Sequence, residues 1–119
     1  GDGGAVIWPW LVGINKAKEL LMTGELIQGA DLLRLGIVNH LVEEDELDRF
    51  CADKARELAG MAPYAARATK QTLNKILKRQ AEEVLDIGLG WEWLSMRQDD
   101  HHEAATAFVE KREAHFTGH

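Results

Sequence analysis

Apolar residues recur at helical spacing along nearly the whole chain, and that periodicity is what most restricts its fold. From Asn15 to Met22, Ala17, Leu20 and Leu21 share one face while Lys16, Lys18 and Glu19 share the other, and Thr23-Gly24 stops the pattern. Gly29 to Leu35 reads as a short helix closed by Gly36. Glu44 to about Ala59 places Leu47, Phe50, Cys51, Ala55 and Leu58 on one side and ends at Gly60. Pro63 suits the first turn of the next helix, because its missing N–H would have no partner there anyway. That helix carries Ala65, Thr69, Leu73, Ile76 and Leu77 along its apolar side and Arg67, Lys70, Lys75, Lys78 and Arg79 opposite. A separate helix is expected from about Ala81 to Arg97, and a last one from Asp99-Asp100, good capping residues, to about His115. Ile37 to Val42 is the single strand-like run. Having no partner strand, it either pairs with sequence outside the chain or serves as an extended connector.

The helix expected over 81–97 has an unusually wide apolar face. Val84, Ile87, Trp91 and Leu94 form one stripe, and Leu85, Leu89, Trp93 and Met96 form a second beside it. Such a face suits two neighbours, one inside the subunit and one across an interface. Gly88 and Gly90 each weaken the helix by about 1 kcal/mol relative to alanine, which packing must offset.

The opening stretch, Gly1 to Gly13, sets three glycines around Asp2 and then turns abruptly apolar through Trp8-Pro9-Trp10 to Val12-Gly13. A glycine-rich turn lets backbone N–H groups approach a ligand, and a helix after it adds unpaired donors and a positive dipole end. Pro9 is expected to kink or end that helix. A strand or loop ordinarily delivers such a turn, so the chain is expected to be a piece of a larger protein.

At 119 residues it forms one domain at most, and its net charge of −6 argues against nucleic acid or an anionic membrane as a main partner. No apolar run reaches membrane-spanning length and no secretory leader is evident. The single cysteine, Cys51, excludes an internal disulfide; on an apolar stripe it is expected to be a buried, inert thiol. These features favour the cytoplasm or an organelle matrix. In Asp99-Asp100-His101-His102-Glu103, adjacent histidines point apart on a helix, which favours a solvated helix start over a metal site.

Taken in order, the motifs resemble the C-terminal half of the enoyl-CoA hydratase/isomerase (crotonase) superfamily. The family's Gly-x-Gly-Gly turn, with an apolar helix ending Val-Gly, is matched by Gly1-Asp2-Gly3-Gly4 and Trp8-Pro9-Trp10-Leu11-Val12-Gly13. Its Leu-Thr-Gly, Ala-x-x-Gly-Leu-Val and Val-x-x-x-x-Leu succession resembles Leu21 to Gly24, Leu32 to Val38 and Val42 to Leu47. Its Pro-x-Ala-x-x-x-x-Lys helix is matched by Pro63 to Lys70. Its Asp-x-x-Glu-Gly-x-x-Ala-Phe-x-Glu-Lys-Arg terminus is matched by Asp100 to Arg112, with Ala104 in place of glycine.

The resemblance implies a predominantly α chain that is the helical C-terminal portion of an α/β crotonase-like fold, a spiral of ββα units. Residues 1–42 would end the crotonase-like core, and residues 43–119 would form a helical region for oligomerisation and for covering the active site. The implied partners are an acyl-CoA substrate and further copies of the same chain, as a trimer or a dimer of trimers. No cofactor or metal is implied beyond the acyl-CoA thioester itself. Two backbone N–H groups would hold the thioester carbonyl and stabilise an enolate, worth a few kcal/mol per donor in comparable sites. Both donors, and the hydratases' acid and base glutamates, would lie upstream of Gly1.

Within the chain, the resemblance makes Asp2 a candidate for proton transfer or nucleophilic catalysis, as in dienoyl-CoA isomerases. The alternative is a helix cap. Ala5-Val6-Ile7-Trp8 stands where the resembled hydratases carry a polar stretch, and Trp8 and Trp10 either wall an acyl pocket or pack in the core. Phe108 and Lys111 correspond to the family's terminal-helix pair at the nucleotide end of CoA, sharing a face with Arg112 and His115; otherwise Phe108 is core on a solvated helix. Two further readings are a non-catalytic helical oligomerisation module and, less well supported by the opening turn, a generic helical adaptor.

Overall fold

The computed structural model describes residues 3–119, and over that span the chain is helical with short connections. Six α-helices follow in order: α1 Gly4–Val12, α2 Ile14–Thr23, α3 Ala30–Arg34, α4 Leu47–Ala59, α5 Pro63–Ser95 and α6 Asp99–Glu110, with a 3-10 turn at Glu44–Glu46 leading into α4. Among the described residues there is no strand. The Ile37 to Val42 run pairs with no strand among the described residues. Its first two N–H groups turn back to the Leu32 carbonyl, at 3.0 and 3.4 Å, instead of entering a ladder.

Two expectations about helix ends are corrected. Pro9 does not end α1, which continues to Val12 and closes through the Gly13 N–H donating to the Pro9 carbonyl at 3.1 Å. The penalty of an interior proline is offset by packing, since α1 lies against both α2 and α5 and buries Val6. The helices expected on either side of Gln80 are one helix of 33 residues. From Tyr64 to Asp86 there is neither proline nor glycine, and Arg79 bridges to Glu83 at 3.0 Å across the expected break. A change of apolar stripe had suggested an end where no breaker stands.

Gly13 makes the tight α1–α2 corner. Its φ of 79° with ψ of 157° is closed to residues bearing a Cβ, and its carbonyl takes the Ala17 N–H at 3.0 Å to start α2. Ala17 and Leu20 are buried at this corner, and Gly24 closes α2 in the left-handed conformation.

The rest of the apolar surface stays open. Accessible surface totals 10165 Å², against about 6,500 Å² for a compact monomer of this mass. The radius of gyration is 19.2 Å, where a compact domain of this length has about 14 Å. Both stripes of α5 contribute, with Trp91 67 % and Trp93 65 % exposed. Cys51 is exposed rather than buried, and no residue of α4 is buried.

Candidate functional site

The candidate residues lie in two places, the α1 corner and the end of α6. Asp2 lies outside the described residues, and the capping position of α1 is Gly3. Trp8 is half-buried on α1, while Trp10 is exposed and lines a shallow groove with Ile76, Arg79 and Glu83 of α5. Neither ring is fully buried, so a core role for both is not what the corner provides.

At the other end, α6 stops at Glu110, short of the expected His115. Lys111 takes φ 56°, ψ 39°, the one non-glycine at positive φ among the described residues. Its N–H donates to Phe108 O at 3.3 Å and the Arg112 N–H donates to Ala107 O at 3.0 Å. This pair of bonds is a Schellman closure, usually built on glycine. Lys111 is therefore not on a helical face with Arg112 and His115; it sits at the reversal itself. Phe108 is 85 % exposed and is not core. The structure thus brings Phe108 and Lys111 to one outward-facing end of α6, while Trp8 stays on α1.

Charge–charge contacts that periodicity could not reveal hold the segment after the reversal. The Arg112 guanidinium reaches both Glu103 oxygens, Nη2 to Oε2 at 2.8 Å, and its Nε donates to Glu110 Oε2 at 2.7 Å. The same Glu103 accepts the His115 N–H at 2.9 Å. Asp100 accepts the N–H groups of Thr117 at 2.7 Å and Gly118 at 2.8 Å, and the Asp100 N–H donates to His119 O at 2.9 Å. Of the acids expected to cap α6, Asp100 docks the returning tail, and Gln98 stands at the capping position. The guanidinium, then the His115 N–H, hold the Glu103 carboxyl down at about 2, against an ordinary 4.5. The Thr117 N–H is the main cause of the lowered Asp100 value. Glu103 opposing Arg112 nine positions later was the sequence signal for this fold-back.

Two features near these elements remain. An open groove of about 580 Å³ lies at the α4–α5 elbow, walled by Leu58, Met61, Ala65, Lys70 and Leu73. The His101 and His102 rings stand 6.0 Å apart, and among the described residues no cluster of three or more His, Cys, Asp or Glu could hold a metal ion.

The family model for enoyl-CoA hydratase/isomerase matches residues 1–119. A short-chain-enoyl-CoA hydratase of Clostridium acetobutylicum is 33% identical over 116 residues, which cover 94% of this chain and 43% of that protein. An enoyl-CoA isomerase/hydratase of Mycosarcoma maydis is 31% identical over 122 residues, covering 99% of this chain and 43% of its own length. In fold, the crystal structure of an enoyl-CoA hydratase/isomerase from Pseudoalteromonas atlantica superposes with a TM-score of 0.81 at 22% identity, covering 96% of this chain and 46% of that one. The architecture is thus the helical C-terminal portion of a crotonase-like fold.

The chain belongs to the enoyl-CoA hydratase/isomerase family. It spans less than half the length of the curated relatives it matches. A family match over the whole chain does not favour the reading of a free-standing oligomerisation module. Among the described residues, no helix is long and apolar enough to cross a membrane.

Proposed function

We propose that the protein carrying this chain acts on acyl-CoA thioesters, hydrating a conjugated double bond or shifting its position through an enolate. The observation that carries the reading is the whole-chain family match, joined to an exposed aromatic ring and a lysine at one end of α6. A lysine ammonium is a compact charge suited to a phosphate, and a free ring face can pack on adenine or on the pantetheine arm. Phe108 and Lys111 meet the nucleotide end of CoA in this reading. Trp8 walls the acyl pocket from α1, and Asp2, in the glycine-rich turn, is the candidate proton carrier. The enolate oxygen is held by two backbone N–H groups of the acyl-CoA site.

Residues 1–42 close the catalytic core, and residues 43–119 cover it and join subunits. The surface excess over a compact monomer supports this division: it is about 3,700 Å², several times the ~800 Å² that one partner gives to a standard interface. One stripe of α5 packs within the subunit and the other on a second copy, in a trimer or a dimer of trimers. The acidic balance suits a protein of the cytoplasm or an organelle matrix that binds neither nucleic acid nor membrane.

Steady-state kinetics on crotonyl-CoA and on crotonyl-pantetheine, which lacks the nucleotide, test the assignment. Lys111→Ala raises KM for the CoA ester and leaves KM for the pantetheine ester unchanged. An equal change for both esters would remove Lys111 from the nucleotide site.

A further inference from the structure

Resting on that reading of Phe108 and Lys111, we propose that Glu103 is a positioning residue: by gripping Arg112 through both oxygens, it fixes the reversal after α6 that presents the ring and the lysine together.

The need for a grip follows from the backbone. A lysine at φ 56° occupies the left-handed region that its Cβ disfavours, so the conformation must be held by contacts on either side. On the helix side stand the two Schellman bonds. On the far side, Arg112 supplies a rigid planar fork. It reaches Glu103 with both terminal nitrogens, Glu110 with Nε, and the Glu113 carbonyl at 3.1 Å. Glu103 sits in the second turn of α6 and binds two residues beyond its end, Arg112 and His115. Its carboxylate therefore spans the reversal as a strut. The Glu103 side chain is only 25 % exposed, so the strut is partly shielded from water.

The same geometry sets the charge seen by a ligand. Glu103 and Glu110 are both engaged by Arg112. Lys111 Nζ makes no ion pair among the described residues, which leaves its charge for an anion arriving from outside.

The test uses Glu103→Gln and Arg112→Lys in the polypeptide that carries this chain, each alone and combined with Lys111→Ala, with crotonyl-CoA and crotonyl-pantetheine as probes. Arg112→Lys keeps the charge and loses the fork; it carries the test if circular dichroism shows the Glu103→Gln protein unfolded. Each single variant is expected to raise KM for crotonyl-CoA by roughly two- to tenfold, the span of one modest hydrogen bond. Unchanged kcat, an unchanged KM for the pantetheine ester, and no further loss when Lys111 is already alanine complete the expected result. If Lys111→Ala raises KM while Glu103→Gln and Arg112→Lys do not, the positioning role is wrong and the nucleotide reading stands. Equal effects on both esters would make Glu103 a purely structural residue, which overturns the proposal. If Lys111→Ala and Phe108→Ala both leave KM for crotonyl-CoA unmoved, the nucleotide reading itself fails, and the inference with it.

Discussion

Replacing Lys111 by glycine and by alanine separates its backbone strain from its charge. Both variants lose the ammonium, and they differ only in the Cβ. At φ 56°, ψ 39° a residue with a Cβ is disfavoured by about 1–2 kcal/mol, whereas glycine is not. Glycine gives back roughly 0.5 kcal/mol through the greater entropy of its unfolded chain. The net difference of about 1 kcal/mol corresponds to about a fivefold change in an opening equilibrium. Native-state hydrogen exchange reads it at the amides of residues 111 and 112, which donate to Phe108 O and Ala107 O. The glycine variant should be about fivefold better protected there than the alanine variant. Equal protection, or weaker protection in glycine, would show that the reversal is not left-handed in solution.

Three further outcomes are expected. The tail should undock in acid: the folded-state value of Glu103 is depressed to about 2 from 4.5, so its stabilising contribution is complete above the unfolded value and is lost as pH falls from 4.5 toward 2. Asp100, lowered in the same direction, acts with it. Amide protection at His115, Thr117 and Gly118 should fall over that range, the His115 part disappearing in Glu103→Gln; loosening as pH rises between about 5 and 8 would contradict the sign. Pro9→Ala should raise the thermal midpoint, because it restores an N–H to α1 at a site where proline costs up to about 3 kcal/mol; a lowered midpoint would mean that the ring's packing outweighs the lost bond. In the polypeptide carrying this chain, the proposed packing of one stripe of α5 on a second copy means that Trp93→Glu or Trp91→Glu should lower the mass measured by size exclusion with light scattering. An unchanged mass in both would remove α5 from the subunit interface.

Elements with physical punctuation were readable from the residues. Gly24, Gly60 and Pro63 placed the ends of α2 and α4 and the start of α5 to within a residue or two. Positions where tertiary packing overrides local preference were not readable. Pro9 stays inside α1 because α2 and α5 hold it. α5 runs on past Gln80, where only a shift of stripe had suggested an end. Lys111 closes α6 in a conformation that glycine or asparagine would have announced. The strand-like run lacked a ladder, which no single segment can supply. The exposure of Cys51 depends on tertiary packing, which the periodicity of α4 does not specify.

Of the candidate site, Phe108 and Lys111 were legible only through the family's terminal motif. The strut that organises them, Glu103 to Arg112 and Asp100 to Thr117, joins residues 9 to 17 apart across a chain reversal. Helical periodicity carries no information about such pairs.

On the function proposed, this chain serves an acyl-CoA enzyme. The most direct test incubates the polypeptide that carries it with crotonyl-CoA, follows the absorbance of the conjugated enoyl thioester, and identifies the product by mass. Loss of conjugation is expected, either with addition of one water or with an isobaric shift of the double bond, together with a rate that falls at low substrate in Lys111→Ala. An intact substrate spectrum and no product across a range of enoyl-CoA chain lengths would contradict it.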